Sequence, residues 1–172
     1  MPDEVRNVLF LCTGNSARSI LSEALIDHWG QGRFKGYSAG SFPKGEVNPL
    51  AIELLRQFGM PTENLRSKSW DEFAVPGAPV MNFVFTVCDQ AAGEQCPIWP
   101  GHPITAHWGL PDPAAVEGKK ALQMLAFRQA FSMLERRIKL FLDIRFELDR
   151  KTIEAKVREI GRSGDDAKDQ AS

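Results

Sequence analysis

A chain of 172 residues, 43% hydrophobic and 25% charged, has the composition of one ordinary globular domain. Its net charge of −1 gives nucleic acid and anionic membrane surfaces nothing to hold, and no apolar run approaches the ~20 residues that span a bilayer. Residues 1 to 8 carry two acids and no cleavage-site pattern, so no secretory leader is expected and the protein is placed in the cytoplasm.

Residues 5 to 12, VRNVLFLC, form a short apolar run, the pattern of a strand buried on both faces of a parallel sheet. From 19 to 29, SILSEALIDHW sets Ile20, Leu21, Ala24, Leu25 and Trp29 on one side of a helix. Gly30 is its expected stop, and His28 near its end favours the helix dipole. A second strand at 34 to 40 completes a βαβ unit, whose crossover is right-handed. Asn48 then caps a helix with Pro49 in its first turn and Leu50, Leu54, Leu55 and Phe58 on one face. Another strand, NFVFTVC at 82 to 88, also ends on a cysteine. A loop rich in Gly and Pro covers 89 to 118, with ITAHWGL at 104 to 110 as the strand inside it.

The longest helix starts near Lys119, runs past Leu142 and turns Met124, Phe127, Phe131, Leu134, Ile138 and Phe141 inward. Residues 148 to 161 read as a short amphipathic helix on Leu148, Ile153, Val157 and Ile160, and the polar residues 162 to 172 as a disordered tail. The expected fold is single-domain α/β, an open and mainly parallel sheet flanked by helices. Its catalytic domain takes residues 1–145, and residues 146–172 form a helical extension with the tail.

Cys12, Cys88 and Cys96 are an odd number of thiols, which argues against a disulfide framework in a reducing compartment. Catalytic or redox use is one reading, and three small buried hydrophobes is the other. Ligands of open α/β sheets collect at the carboxyl ends of strands, where Cys12 stands. A chain wrapping through Thr13, Gly14, Asn15, Ser16 and Ala17 aims its amides into one concavity, backed by a helix N-terminus and suited to a tetrahedral oxyanion. Gly14 and Asn15 tolerate the positive φ such a wrap needs. The Gly-Lys-Ser/Thr ending of a nucleotide loop is missing. Arg18 can grip two oxygens with its planar fork, and the amide dipoles, Arg18 and the Ser19 hydroxyl favour a Cys12 thiolate placed for in-line attack. His28, His102 and His107 lack ligand spacing and no Cys-x2-Cys is present, so no metal is expected.

Cys-x5-Arg-Ser at 12 to 19 is similar to the phosphate loop of the low-molecular-weight protein tyrosine phosphatase superfamily. With YSAG at 37 to 40, FTVC at 85 to 88, CPIWPG at 96 to 101 and HWGLPDPA at 107 to 114, the chain most resembles the thioredoxin-linked arsenate reductases of that fold. The resemblance implies Asp112 as general acid; a solvent-exposed Pro-Asp-Pro turn is the alternative. It implies Cys88 as the thiol that attacks a Cys12–arsenic adduct, and Cys96 as the thiol that resolves the resulting disulfide. No bound cofactor is implied, only arsenate and an external reductant: thioredoxin, glutathione with glutaredoxin, or mycothiol. The alternative activity in the superfamily is hydrolysis of phosphotyrosine or aryl phosphates. Against it, Asp112-Pro113 precedes Ala114 and Ala115, where such phosphatases carry aromatics.

Three departures from the reductase pattern stand out. Ala17 replaces a cysteine before the loop arginine, and seven residues separate Cys88 from Cys96, one more than the pattern expects. Lys68 stands where some relatives use an acid to hold potassium beside the loop asparagine. Its ammonium is expected to replace that cation and polarise Asn15, or else to be a solvated surface lysine. Ser38 and Glu23 are candidates to support Asn15 from behind, and His107 and Trp108 are assigned to packing.

Overall fold

A computed structural model describes the backbone of residues 4–88 and 99–171 and the side chains through residue 162. Cys96 lies outside the described residues. Four strands form one sheet: β1 (Arg6–Leu11), β2 (Phe34–Ala39), β3 (Phe83–Thr86) and β4 (Ile104–His107). Their order is β2-β1-β3-β4 and every pairing is parallel, so all strand carboxyl ends lie along one edge. β1 is central, and its alternation serves both faces. Val8 and Phe10 join the core beneath the helices, while Leu9 and Leu11 pack with Phe73, Val84 and Trp99 on the other side.

α1 (Arg18–Gly30) connects β1 to β2, and α2 (Pro49–Gln57) follows β2. α3 (Lys120–Leu142) and α4 (Arg150–Ala171) close the chain. Asn48 caps α2 as expected, its Oδ1 accepting from the Leu50 amide at 2.9 Å, with Pro49 in the first turn. α1 ends at Gly30 as expected, but it is Gln31 that takes the left-handed position, at φ 49°. Phe58 is exposed and stacks on Phe131, and Leu148 is also exposed, so neither joins the core that its spacing suggested. The α3 stripe is buried from Phe127 to Phe141, with Met124 partly covered, and it contains a residue outside the apolar pattern, Arg137.

The strand at 104 to 110 is shorter than expected, because the chain leaves the sheet after His107. Trp108 still donates its amide to Thr86 O at 2.6 Å. Its ring stacks on Phe85 at 4.1 Å, and its Nε1 donates to Val157 O at 2.9 Å, which ties α4 to the sheet edge. The last helix is longer than the 148 to 161 expected. α4 runs on to Ala171, because extending an anchored helix costs far less than nucleating one. A Cβ at Gly161 would overlap the His107 carbonyl oxygen, so the glycine allows close approach between α4 and β4. Gly161→Ala is therefore expected to lower stability by about 1–3 kcal/mol, against the ~1 kcal/mol that this change gains on an open helix face. A urea midpoint equal to the parent's would show that α4 can lift away freely.

Candidate active site

Beyond β1 the chain turns its carbonyls outward. Thr13 O accepts from Phe42 N at 3.0 Å, Gly14 O from Lys44 N at 3.0 Å, and Ser16 O from Asn48 N at 2.9 Å. A trans peptide sets each carbonyl opposite the next residue's N–H, so the amides of Gly14, Asn15 and Ala17 face the hollow that the loop encloses. α1 opens directly behind them, with Ala17 at the cap position and no side chain capping its first turn. Its free amides add to an electropositive cradle. Asn15 is fully buried at φ 43°, its Nδ2 donating to Ser19 Oγ and its Oδ1 accepting from the Lys68 amide, both at 2.8 Å. Gly14 does not take a positive φ; the Lys44 stem packs against it instead. Gly40 is the glycine that the wrap depends on, since a Cβ there would overlap the carbonyl oxygens of Cys12 and Thr13.

The hollow has a volume of about 260 Å³ and is lined by residues 12 to 18 with Phe42, Lys44, Asp112 and Ala114. Arg18 reaches across it, its Nη1 donating to Leu110 O at 3.0 Å and its Nη2 lying 3.6 Å from Asp112 Oδ2. Arg18 Nε is buried with no acceptor among the described residues, which suits an arginine that can turn to an anion. Asp112 Oδ1 accepts from the Ala114 amide at 2.9 Å and caps the short turn Pro113–Ala115. The turn role and a position at the mouth of the hollow are thus realised by the same side chain.

Cys88 lies two residues past β3 and meets Cys12, to which it is hydrogen-bonded. Its Sγ accepts from the Thr13 amide at 3.4 Å and lies 3.7 Å from Thr13 Oγ1. Thr13 thereby directs its amide to the second thiol rather than into the hollow. This contact reverses the expectation of a Cys12 thiolate favoured by its loop. The Cys12 thiol is held above its usual range, first by the hydrogen bond to Cys88, then by burial and by the charges of Cys88 and Asp112; Arg18 alone acts against them. Two thiols in contact release their first proton as a pair, and the second is then hard to remove. Ser19, a candidate to line the oxyanion site and to favour the Cys12 thiolate, is buried behind the loop as the acceptor of Asn15.

Lys68 is neither solvated nor in contact with the Asn15 side chain through its ammonium. It is 8% exposed, its Nζ donates to Ser38 O at 2.7 Å, and it stands 3.9 Å from Glu23. Ser38 Oγ donates to Glu23 Oε1 at 2.6 Å. Burial pushes Glu23 up and Lys68 down, and each draws the other back toward its charged form. Glu23 and Ser38 therefore brace Lys68, whose backbone amide braces Asn15.

The fold thus gathers Cys12, Thr13, Gly14, Asn15, Ser16, Ala17, Arg18, Cys88 and Asp112 at one end of β1, with Ser19 behind. Sequence reasoning missed Gly40, the Thr13–Cys88 bond and Arg137. For Arg137 a signal existed: it falls seven residues after Ala130, at a core position of the α3 stripe. Such an arrangement can hold a tetrahedral oxyanion over a sulfur, with a carboxyl at the mouth and a second sulfur behind.

The family model described as low molecular weight phosphotyrosine protein phosphatase matches residues 7–158. An arsenate reductase of Shouchella clausii is 33% identical over 136 residues, covering 79% of this chain and 94% of its own. The Bacillus subtilis arsenate reductase is 32% identical over 140 residues, 81% of this chain and 97% of its own. The solved Corynebacterium glutamicum thioredoxin-dependent arsenate reductase superposes with a TM-score of 0.59 at 26% identity. That match covers 81% of this chain and only 61% of the larger chain. Because that match takes in residues 7–158 of the 172, the chain belongs to the low molecular weight phosphotyrosine protein phosphatase family.

Proposed function

We infer that this protein reduces arsenate to arsenite. The observation that carries the reading is the contact between Cys88 and Cys12 at the floor of an oxyanion hollow. Hydrolysis of a phosphocysteine by water does not require a second thiol touching the nucleophile, whereas reduction of arsenate does. The relatives at 33% and 32% identity are arsenate reductases, which agrees.

In this reading the Cys12 thiol gives its proton to the bound arsenate as its Sγ attacks arsenic, and one arsenate oxygen takes a further proton from Asp112 and leaves as water. The amides of Gly14, Asn15 and Ala17, with Ser16, Arg18 and the α1 N-terminus, hold the remaining oxygens. Cys88 then attacks Cys12 Sγ. The sulfur–arsenic bond breaks, its electron pair stays on arsenic, and arsenite leaves a Cys12–Cys88 disulfide. Cys96 attacks Cys88 in turn, freeing Cys12 and passing the disulfide outward to a thioredoxin-like reductant. The compartment is the cytoplasm, where thiols are kept reduced. Purified protein with thioredoxin, thioredoxin reductase and NADPH is expected to oxidise NADPH only when arsenate is added. Exchange for glutathione with glutaredoxin, or for mycothiol, identifies the reductant. Turnover of an aryl phosphate with no arsenate-dependent oxidation would leave the phosphatase activity of the family as the function.

The Lys68 ammonium also has a consequence here. Held by Ser38 and Glu23 behind Asn15, it supplies the positive charge that a potassium ion supplies in some relatives. Potassium chloride in place of sodium chloride at equal ionic strength is expected to leave kcat/KM for arsenate unchanged. Activation by potassium would remove Lys68 from that role.

A further inference from the structure

We propose that Arg137 is a positioning residue for the loop that carries Asp112; the proposal rests on the reading of Asp112 as general acid. Arg137 is 1% exposed, on the same α3 face as Leu134, Ile138 and Phe141. A guanidinium is costly in a core unless its donors are used. Here Nη1 donates to Trp108 O at 2.7 Å and to Gly109 O at 3.0 Å. The next carbonyl, Leu110 O, is taken by Arg18 Nη1 at 3.0 Å. Three successive carbonyls on the path to Asp112 are thus held by two guanidiniums from different helices.

The placement matters because of what lies on either side. Trp108 is fixed by its stack on Phe85 and its bond to Val157 O. Asp112 is fixed downstream by its own turn with Ala114. Between them stands Gly109, whose backbone has the widest freedom of any residue and would let the acid pivot. Arg137 ties down the peptide units at that pivot. Arg18 cannot do this throughout the reaction, since its donors are needed on the oxyanion, whereas Arg137 does not line the hollow.

Arg137→Met and Arg137→Lys, each with and without Asp112→Asn, test this in the reductant-coupled arsenate assay. Arg137→Met is expected to lower kcat about tenfold, a part of the ~10²–10⁴ that a positioned acid supplies. KM for arsenate and the affinity for inorganic phosphate by calorimetry should stay at parent values, because the loop that binds the anion is untouched. Arg137→Lys should recover part of the rate. In the Asp112→Asn background Arg137→Met should cost little more, since the two act through one proton transfer. The same loss with and without Asp112, or phosphate affinity falling together with kcat, would make Arg137 merely structural and overturn the proposal. Should Arg137→Met fail to fold, the lysine variant alone carries the same comparison. An Asp112→Asn protein as fast as the parent would instead refute Asp112 as the acid, and this proposal with it.

Discussion

A Cys88→Ser protein is expected to attack arsenate once and then stop. Steady-state arsenate-dependent oxidation of NADPH should fall to background, while binding of phosphate in the hollow is preserved. The reason is the division of labour between two sulfurs in contact. Cys12 lines the hollow, whereas Cys88 sits behind it, hydrogen-bonded to Cys12 and to Thr13. Serine at 88 keeps the shape and can still bond Thr13, but its oxygen forms no bond to sulfur that could release arsenic as arsenite. Continued multiple turnover in this variant would overturn the relay and favour direct attack on the adduct by an outside thiol.

The same position carries a titration prediction with a definite sign. Cys88 is the largest cause that pushes the Cys12 thiol up. Removing it in Cys88→Ala leaves burial and Asp112 against Arg18, so Cys12 must ionise at lower pH than in the parent. The pH midpoint for its alkylation by iodoacetamide should move downward. An unmoved or rising midpoint would show that Cys88 does not hold the proton of Cys12.

What was legible in the sequence was local. The apolar run of β1, the cap at Asn48 and the loop from Cys12 to Arg18 follow from neighbours in the chain, and all three stand in the structure. What was not legible depends on residues brought from far away. The loop pattern argued for a thiolate at Cys12, yet the fold sets Cys88 beside it and turns the shift upward. The need for a glycine at 161 was invisible, because no sequence pattern shows that the His107 carbonyl will press on it. Lys68 read as a cation beside Asn15, and it braces that residue through its backbone while its ammonium serves Ser38 and Glu23. Arg137 lies between these cases. Its charge on a core stripe was visible, but the carbonyls that it holds were not.

Cys12→Ser is expected to abolish arsenate reduction altogether, by several orders of magnitude, because removing the attacking atom leaves no first bond to arsenic. The substitution decides which sulfur attacks, a point that burial alone leaves balanced, since both thiols are buried. Two features favour Cys12. It forms the floor of the hollow, and Arg18 acts on it electrostatically, while Cys88 spends its acceptor capacity on Thr13. The hollow itself should survive, because its amides are set by Phe42, Lys44 and Asn48 and not by the sulfur. Phosphate is therefore expected to bind Cys12→Ser about as tightly as the parent, because a neutral hydroxyl replaces a thiol that the fold keeps protonated. Loss of binding along with activity would mean that the sulfur shapes the cradle. Arsenate reduction that persists in Cys12→Ser and disappears on adding Cys88→Ser would make Cys88 the nucleophile and reverse the order of the relay.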